Sequence, residues 1–159
     1  MSQYPQLFAT TPAPQLEALF RDIAASRMQG IPILNPALQV EAIGFQPWDG
    51  PQGRLWAGVL LTPWFMNLLL LPIDPDSLPA VPPTGETVIA LPGDALPFMA
   101  GHEDALGDYR LCSLFSPVLQ FADQDSARAT ALEVLKLLFP PAQPAAPDLS
   151  RRRLFGLGR

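Results

Sequence analysis

One stretch, Arg54 to Ile73 (R-L-W-A-G-V-L-L-T-P-W-F-M-N-L-L-L-L-P-I), constrains what this chain can fold into more than any other. Arg54 is its only charged residue, and it holds two of the three tryptophans. Its length approaches the roughly 20 apolar residues of a membrane-spanning helix. Pro63 argues for a hairpin instead. A proline lacks the N–H that a helix interior or a central strand needs, and it holds the residue before it out of the helical region. The expectation is two strands, Arg54–Thr62 and Phe65–Leu71, joined by a tight Thr62-Pro63-Trp64 corner. In the first strand Leu55, Ala57, Val59 and Leu61 point one way, and Trp56, Gly58 and Leu60 the other. A half-solvated strand alternates apolar with polar residues. This one does not, so it belongs mid-sheet with both faces covered.

The flanking sequence supplies the rest of a small domain. Residues Met1–Ala9 read as loose. Thr11 offers an N-cap hydroxyl, and Pro12 or Pro14 suits a first helical turn. Leu16, Leu19, Phe20, Ile23 and Arg27 then follow the spacing of an amphipathic helix, which Gly30 and Pro32 close. A strand over Gln39–Gln46 leads into a turn from Pro47 to Gly53. Past Pro72 a proline-rich loop reaches Pro83, and short strands are expected over Glu86–Leu91 and Leu96–Gly101. His102–Asp108 reads as a polar hairpin loop. A last strand, Tyr109–Ser116, sends Tyr109, Leu111, Ser113 and Phe115 one way, and Arg110, Cys112 and Leu114 the other. Asp123 caps a second helix with the stripe Ala127, Ala131, Val134, Leu135, Leu138 and Phe139, which Pro140-Pro141 end. The fold class is therefore α+β: a single domain, mainly an antiparallel sheet of about six strands, packed by an N-terminal and a C-terminal helix. Both helices are expected on one sheet face, with the other face or its rim left partly to Trp, Phe and Met side chains. Residues 1–139 form this domain. Residues 140–159 read as a Pro-rich linker and a basic-apolar tail.

Composition excludes several functions. Hydrophobic residues make up 48% and charged residues 16%, against about 25% charged in an ordinary soluble domain. That leaves apolar surface for a partner. A net charge of −5 argues against nucleic acid, whose binders carry a basic stripe. A single cysteine, Cys112, excludes an internal disulfide and any multi-cysteine zinc or rubredoxin-type site. His102, the only histidine, would need carboxylates to hold a metal. No metal or cofactor is expected. The amino terminus lacks a secretory signal pattern, so a soluble cytoplasmic protein without membrane insertion is expected.

Motifs for catalysis are also missing: there is no Gly-x-Ser-x-Gly elbow and no phosphate-cradling Gly-x-x-x-x-Gly-Lys-Ser/Thr loop. His102 beside Glu103 and Asp104 reads as an exposed loop histidine before it reads as a base. Cys112 reads as a small buried hydrophobe, with a partner-facing thiol activated by Arg110 as the alternative. The residues proposed to meet a partner are Trp64, Phe65 and Met66 at the corner, Cys112, and the tail's Arg151, Arg152, Arg153 and Phe155. Exposed aromatic and Met groups beside a rigid sheet are the composition of a protein-binding groove.

Several of these pieces together resemble a known family, the HybE/HupJ type of nickel–iron hydrogenase assembly chaperone. They are Asn35-Pro36, Thr62-Pro63-Trp64-Phe65-Met66, Leu91-Pro92, Tyr109-x-x-Cys112-Ser113-Leu114-x-Ser116-Pro117, and the closing Arg151-Arg152 and Leu154-Phe155-Gly156. They occur in the family's order and spacing over most of the chain. Some relatives carry a rubredoxin domain, which one cysteine excludes here. The resemblance implies a non-enzymatic cytoplasmic helper. It would bind precursors of the hydrogenase large subunit, small subunit or both, including their twin-arginine signal peptide, until cofactor insertion is complete. Ser150-Arg151-Arg152-Arg153-Leu154-Phe155 itself resembles a twin-arginine core and suggests a segment that occupies the client site in cis. The residues alone leave two other functions open: a carrier of an apolar small molecule or cofactor, and a hydrolase or thiol enzyme using His102 or Cys112.

Overall fold

The computed structural model describes residues 7–141. Its elements are α1 (Ala13–Ala25), β1 (Glu41–Gly50), β2 (Gly53–Leu61), β3 (Met66–Pro72), β4 (Thr87–Ala90), β5 (Ala95–Glu103), β6 (Gly107–Phe115) and α2 (Gln124–Leu138). Every residue of β3 is buried. Such a strand needs a hydrogen-bonded neighbour on each edge and a cover on each face, and the topology supplies all four. Two antiparallel three-stranded meanders meet at β3 and β6, giving the order β1-β2-β3-β6-β5-β4. Leu68 to Leu71 are each at most 1% exposed. Their burial contributes on the order of 10 kcal/mol before entropy is charged against it.

The Thr62-Pro63-Trp64 corner forms as its residues dictate. The Thr62 N–H donates to the Phe65 carbonyl (2.8 Å). Its hydroxyl accepts from the N–H groups of Trp64 (3.2 Å) and Phe65 (3.0 Å). Asp123 caps α2 as expected, its carboxylate accepting from the Ser126 N–H at 2.8 Å.

The two helices lie on opposite faces of the sheet, where the sequence suggested one shared face. Leu55, Ala57, Val59 and Leu61 pack with Ala127, Ala131 and Leu138 of α2. Leu60 and Trp56 pack with Leu16, Phe20 and Ile23 of α1. The face partition read from β2 is therefore kept, and a helix covers each side of it.

Other differences have local causes. β1 continues through Pro47 and Trp48 to Gly50, so the turn is shorter than expected. It is an edge strand, where a missing N–H is tolerated. One extra residue enters β1 between the pairs Ile43↔Val59 and Gln46↔Ala57. Gly44 there has φ +66, the left-handed conformation that such a bulge requires. A second shift, between Met66↔Phe115 and Asn67↔Ser113, adds Leu114 to β6. It turns Phe115 away from Tyr109 and onto the α2 side, against the alternation expected. Phe8 is buried, and its N–H donates to Pro72, so the segment before α1 is not loose from Phe8 onward. α1 ends at Ala25, which leaves Arg27 beyond the helix. β5 runs to Glu103, and the hairpin that follows buries Leu106 completely.

Candidate functional site

The residues proposed to meet a partner separate into three groups. Met66 is fully buried, and Cys112 is 5% exposed, both in the core on the α2 side. Burial pushes the Cys112 thiol above its ordinary pKa, and the Glu86 carboxylate adds to the shift. Arg110 does not activate it: its guanidinium donates to the Pro79 and Tyr109 carbonyls. Trp64 and Phe65 lie on the α1 side with their rings edge-to-face, centroids 5.5 Å apart. The corner thus presents no exposed Trp64–Met66 surface, because the two side chains enter opposite cores. Arg151, Arg152, Arg153 and Phe155 lie outside the described residues, as does most of the 140–159 segment.

His102 sits at the exposed end of β5, with Nδ1 2.8 Å from Asp108 and Nε2 3.1 Å from Asp104. Its hydrogen bonds to Asp108 and then Asp104 raise its pKa. Among the described residues, both ring nitrogens of His102 are hydrogen-bonded to carboxylates alone. Among the described residues no group of three or more His, Cys, Asp or Glu side chains is placed to share a metal ion.

A half-open groove of ≈ 700 Å³ lies between α2 and the outer half of β1. Leu132, Leu135 and Phe139 form one wall, Pro47 and Trp48 the other, and Pro140 and Pro141 close one end. Trp48 and Phe139 meet edge-to-face at 5.5 Å. On the rim, Glu133 and Lys136 pair at 3.3 Å and leave it electrically balanced. Leu132 is 42% exposed.

Local chemistry sets this shape. A Cβ on Gly44 would stand 2.6 Å from the Leu135 side chain, so the bulge glycine lets α2 approach the strand. Arg128 pairs with Glu41 at 2.8 Å. Gln124 accepts from the Gln39 N–H (2.8 Å) and donates back to the Gln39 carbonyl (3.2 Å). At the far end the Gly93 N–H caps the Leu138 carbonyl at 2.8 Å, and a side chain there would overlap the last turn of the helix. The sequence marks Leu135 and Phe139 as core and Pro140 and Pro141 as a helix stop, and points to none of the groove residues as a partner contact. Trp48 was assigned to a turn, and Leu132 lies off the apolar stripe of α2. The surplus of apolar residues on that helix was the available signal.

A second, smaller pocket of ≈ 360 Å³ opens on the α1 face and gathers Trp64 and Phe65 with Phe20, Asn67, Tyr109 and Leu111. At its mouth Arg27 pairs with Glu103 at 3.1 Å.

Apolar concavities on both faces are the equipment of a binding protein. The family model described as NiFe-hydrogenase assembly, chaperone, HybE matches residues 11–157. The chain belongs to the HybE family. It is similar to Protein HoxT of Cupriavidus necator, 45% identical over 91% of this chain and 88% of that protein. It is also similar to the hydrogenase expression/formation protein HupT of Azotobacter chroococcum, 42% identical over 88% of this chain and 91% of that one. The solution structure of HybE from Escherichia coli has the same fold, with a TM-score of 0.65 over 100% of this chain and 96% of that chain at 24% identity. HybE proteins are hydrogenase assembly chaperones and not enzymes, which removes the hydrolase and thiol-enzyme alternatives. Among the described residues no helix is long and apolar enough to cross a membrane.

Proposed function

We propose that this chaperone binds apolar segments of the precursors of the NiFe-hydrogenase large subunit, small subunit or both in the α2–β1 groove. It holds them in the cytoplasm until cofactor insertion is complete and twin-arginine export is permitted. The observation that carries this reading is the groove itself: ≈ 700 Å³, walled by Trp48, Leu132, Leu135 and Phe139, with a charge-balanced rim. An apolar segment of an unfinished subunit loses water on entering it, and no fixed charge selects one sequence over another. In this reading residues 1–139 are the binding domain. Residues 140–159 are an arm that carries Arg151, Arg152, Arg153 and Phe155. The arm competes in cis with the client, at an effective concentration set by its linker.

The test is the affinity of the full chain for purified precursor subunits, measured by biolayer interferometry. Leu132→Glu removes a groove contact from a position already 42% exposed, and Leu137, 72% exposed and outside the groove, gives the matched control. Loss of one apolar contact is expected to weaken binding roughly tenfold or more, with Leu137→Glu unchanged. Wild-type affinity in Leu132→Glu would remove the groove from the mechanism. Truncation after Pro147 is expected to raise affinity, and an equal or lower value refutes competition by the arm. The apolar lining also favours a second reading, carriage of an apolar small molecule. A co-purifying mass in native mass spectrometry would support that reading.

A further inference from the structure

The α1-face pocket contains an unspent set of hydrogen-bonding groups. Asn67 is 7% exposed, Tyr109 6% and Trp64 9%, and all three line the pocket. Among the described residues, the Asn67 amide, the Tyr109 hydroxyl and the Trp64 indole N–H have no hydrogen-bond partner. The contrast with Trp56 is direct, since its indole N–H donates to the Phe8 carbonyl at 2.9 Å. Unlike the Ser77 hydroxyl, none of the three is sealed off, so they open onto the pocket. Groups that open onto a pocket are served by water in the free protein, and a ligand that enters must replace those bonds. Three such groups converging on one apolar-walled cavity are a site awaiting a ligand's own donors and acceptors.

The chemistry of the lining selects the ligand. Burial pushes the Tyr109 pKa up to about 12, so its hydroxyl stays protonated and neutral. The two charges at the mouth, Arg27 and Glu103, neutralise each other. A primary amide and a phenol lining the same pocket can between them serve a peptide group, which offers one donor and one acceptor. A volume of ≈ 360 Å³ is at the small end of the roughly 300–1,000 Å³ range of ligand sites. It admits one bulky side chain and not an extended cofactor. Half-buried Phe65 and Leu111 continue outward to Met99, which is 39% exposed and cross-strand from Leu111. That apolar strip gives the flanks of a polypeptide something to lie on. We infer that this pocket takes one bulky apolar side chain of the precursor, with its adjoining peptide group hydrogen-bonded to Asn67 and Tyr109. This inference rests on the reading of the chain as a precursor-binding chaperone, and it is a second contact, on the sheet face opposite the groove.

The test uses the full chain, ¹⁵N-labelled, titrated with N-acetyl-L-phenylalaninamide and followed by the indole N–H signals. Trp64 is expected to shift saturably while Trp56, already bonded, stays in place. Tyr109→Phe is expected to weaken the probe roughly two- to tenfold, the worth of one hydrogen bond. It should leave the melting temperature of the free protein unchanged or higher, because the hydroxyl has no partner to lose. Precursor affinity should fall by a similar factor in Tyr109→Phe and in Asn67→Leu. A Trp64 signal unmoved at saturating probe overturns the inference, as does a lower melting temperature in Tyr109→Phe, which would reveal a structural bond. Unchanged precursor affinity in Tyr109→Phe, with Leu132→Glu impaired, overturns this client contact and leaves the chaperone reading intact. Absence of precursor binding by wild type would instead overturn the reading on which the inference rests.

Discussion

Asn35 ties three separate segments to one another through its side chain and its backbone N–H. Its amide donates to the carbonyls of Val118 (3.0 Å) and Phe121 (2.8 Å), and its Oδ1 accepts from the Ala37 N–H (2.9 Å). Its own backbone N–H donates to Pro63 at 2.8 Å. The chain before β1, the β2–β3 corner and the approach to α2 thus meet at a residue only 6% exposed. Asn35→Ala keeps the backbone bond and deletes the other three, orphaning the Phe121 carbonyl and the Ala37 N–H and leaving the Val118 carbonyl only the Phe121 N–H. At about 1 kcal/mol per bond, and somewhat more where an orphan stays dry, the loss is about 3 kcal/mol. For a domain of this size that is a fall of roughly 6–12 °C in melting temperature. Urea unfolding measures it directly, with a lower midpoint and an unchanged slope expected. Asn35→Asp is a sharper probe. It keeps the acceptor for Ala37 but aims a carboxylate at two carbonyl oxygens, so it should be at least as damaging at neutral pH and partly rescued when acid protonates it. A cost for Asn35→Ala below about 1 kcal/mol would refute the reasoning, because it would mean that water replaces the amide and the junction is not dry.

Two further outcomes follow from the way α2 is docked. Gly44→Ala meets both a φ of +66 and the Leu135 side chain at 2.6 Å. It should cost about 1–3 kcal/mol from backbone strain alone, displace α2 and weaken client binding. Gly30→Ala, at φ +80 with nothing within 4 Å, should carry the strain without the binding defect. The second outcome concerns acid stability. Burial acts to raise the pKa of Glu41, but hydrogen bonds from Arg128 and Gln124 outweigh it and hold the carboxyl below its ordinary 4.5. A depressed folded pKa stabilises fully above pH 4.5, and this contribution is lost as pH falls through the folded value. The gap in urea midpoint between wild type and Glu41→Gln should therefore be widest above pH 4.5 and should narrow below it. A gap that stays constant across this range would show that the ion pair does not carry the acid sensitivity.

What the sequence by itself determined is what neighbouring residues decide among themselves. Pro63 with the Thr62 hydroxyl makes the corner, Asp123 caps α2, and unbroken apolar runs against a 3.6-residue period separate β2 and β3 from the two helices. The alternation in β2 even assigned each side chain to its face. The family pattern was legible in the same way, because motifs in order and spacing survive without knowledge of the fold. The structure alone decided which helix covers which face, since that depends on the path of the whole chain, and short-range periodicity is the same for either choice. Bulges at Gly44 and Leu114 were equally hidden, because an extra residue exists only relative to the register of a partner strand. The first opens the groove against Leu135, and the second turns Phe115 to the other face. Trp64 and Met66 were grouped as one surface because they are close in sequence, and the sheet sends them into opposite cores. Asn67 and Tyr109, 42 residues apart in the chain, share a pocket only because β3 and β6 pair at the centre of the sheet. Proximity of that kind is created by long-range strand pairing, for which no local run of residues carries a signal.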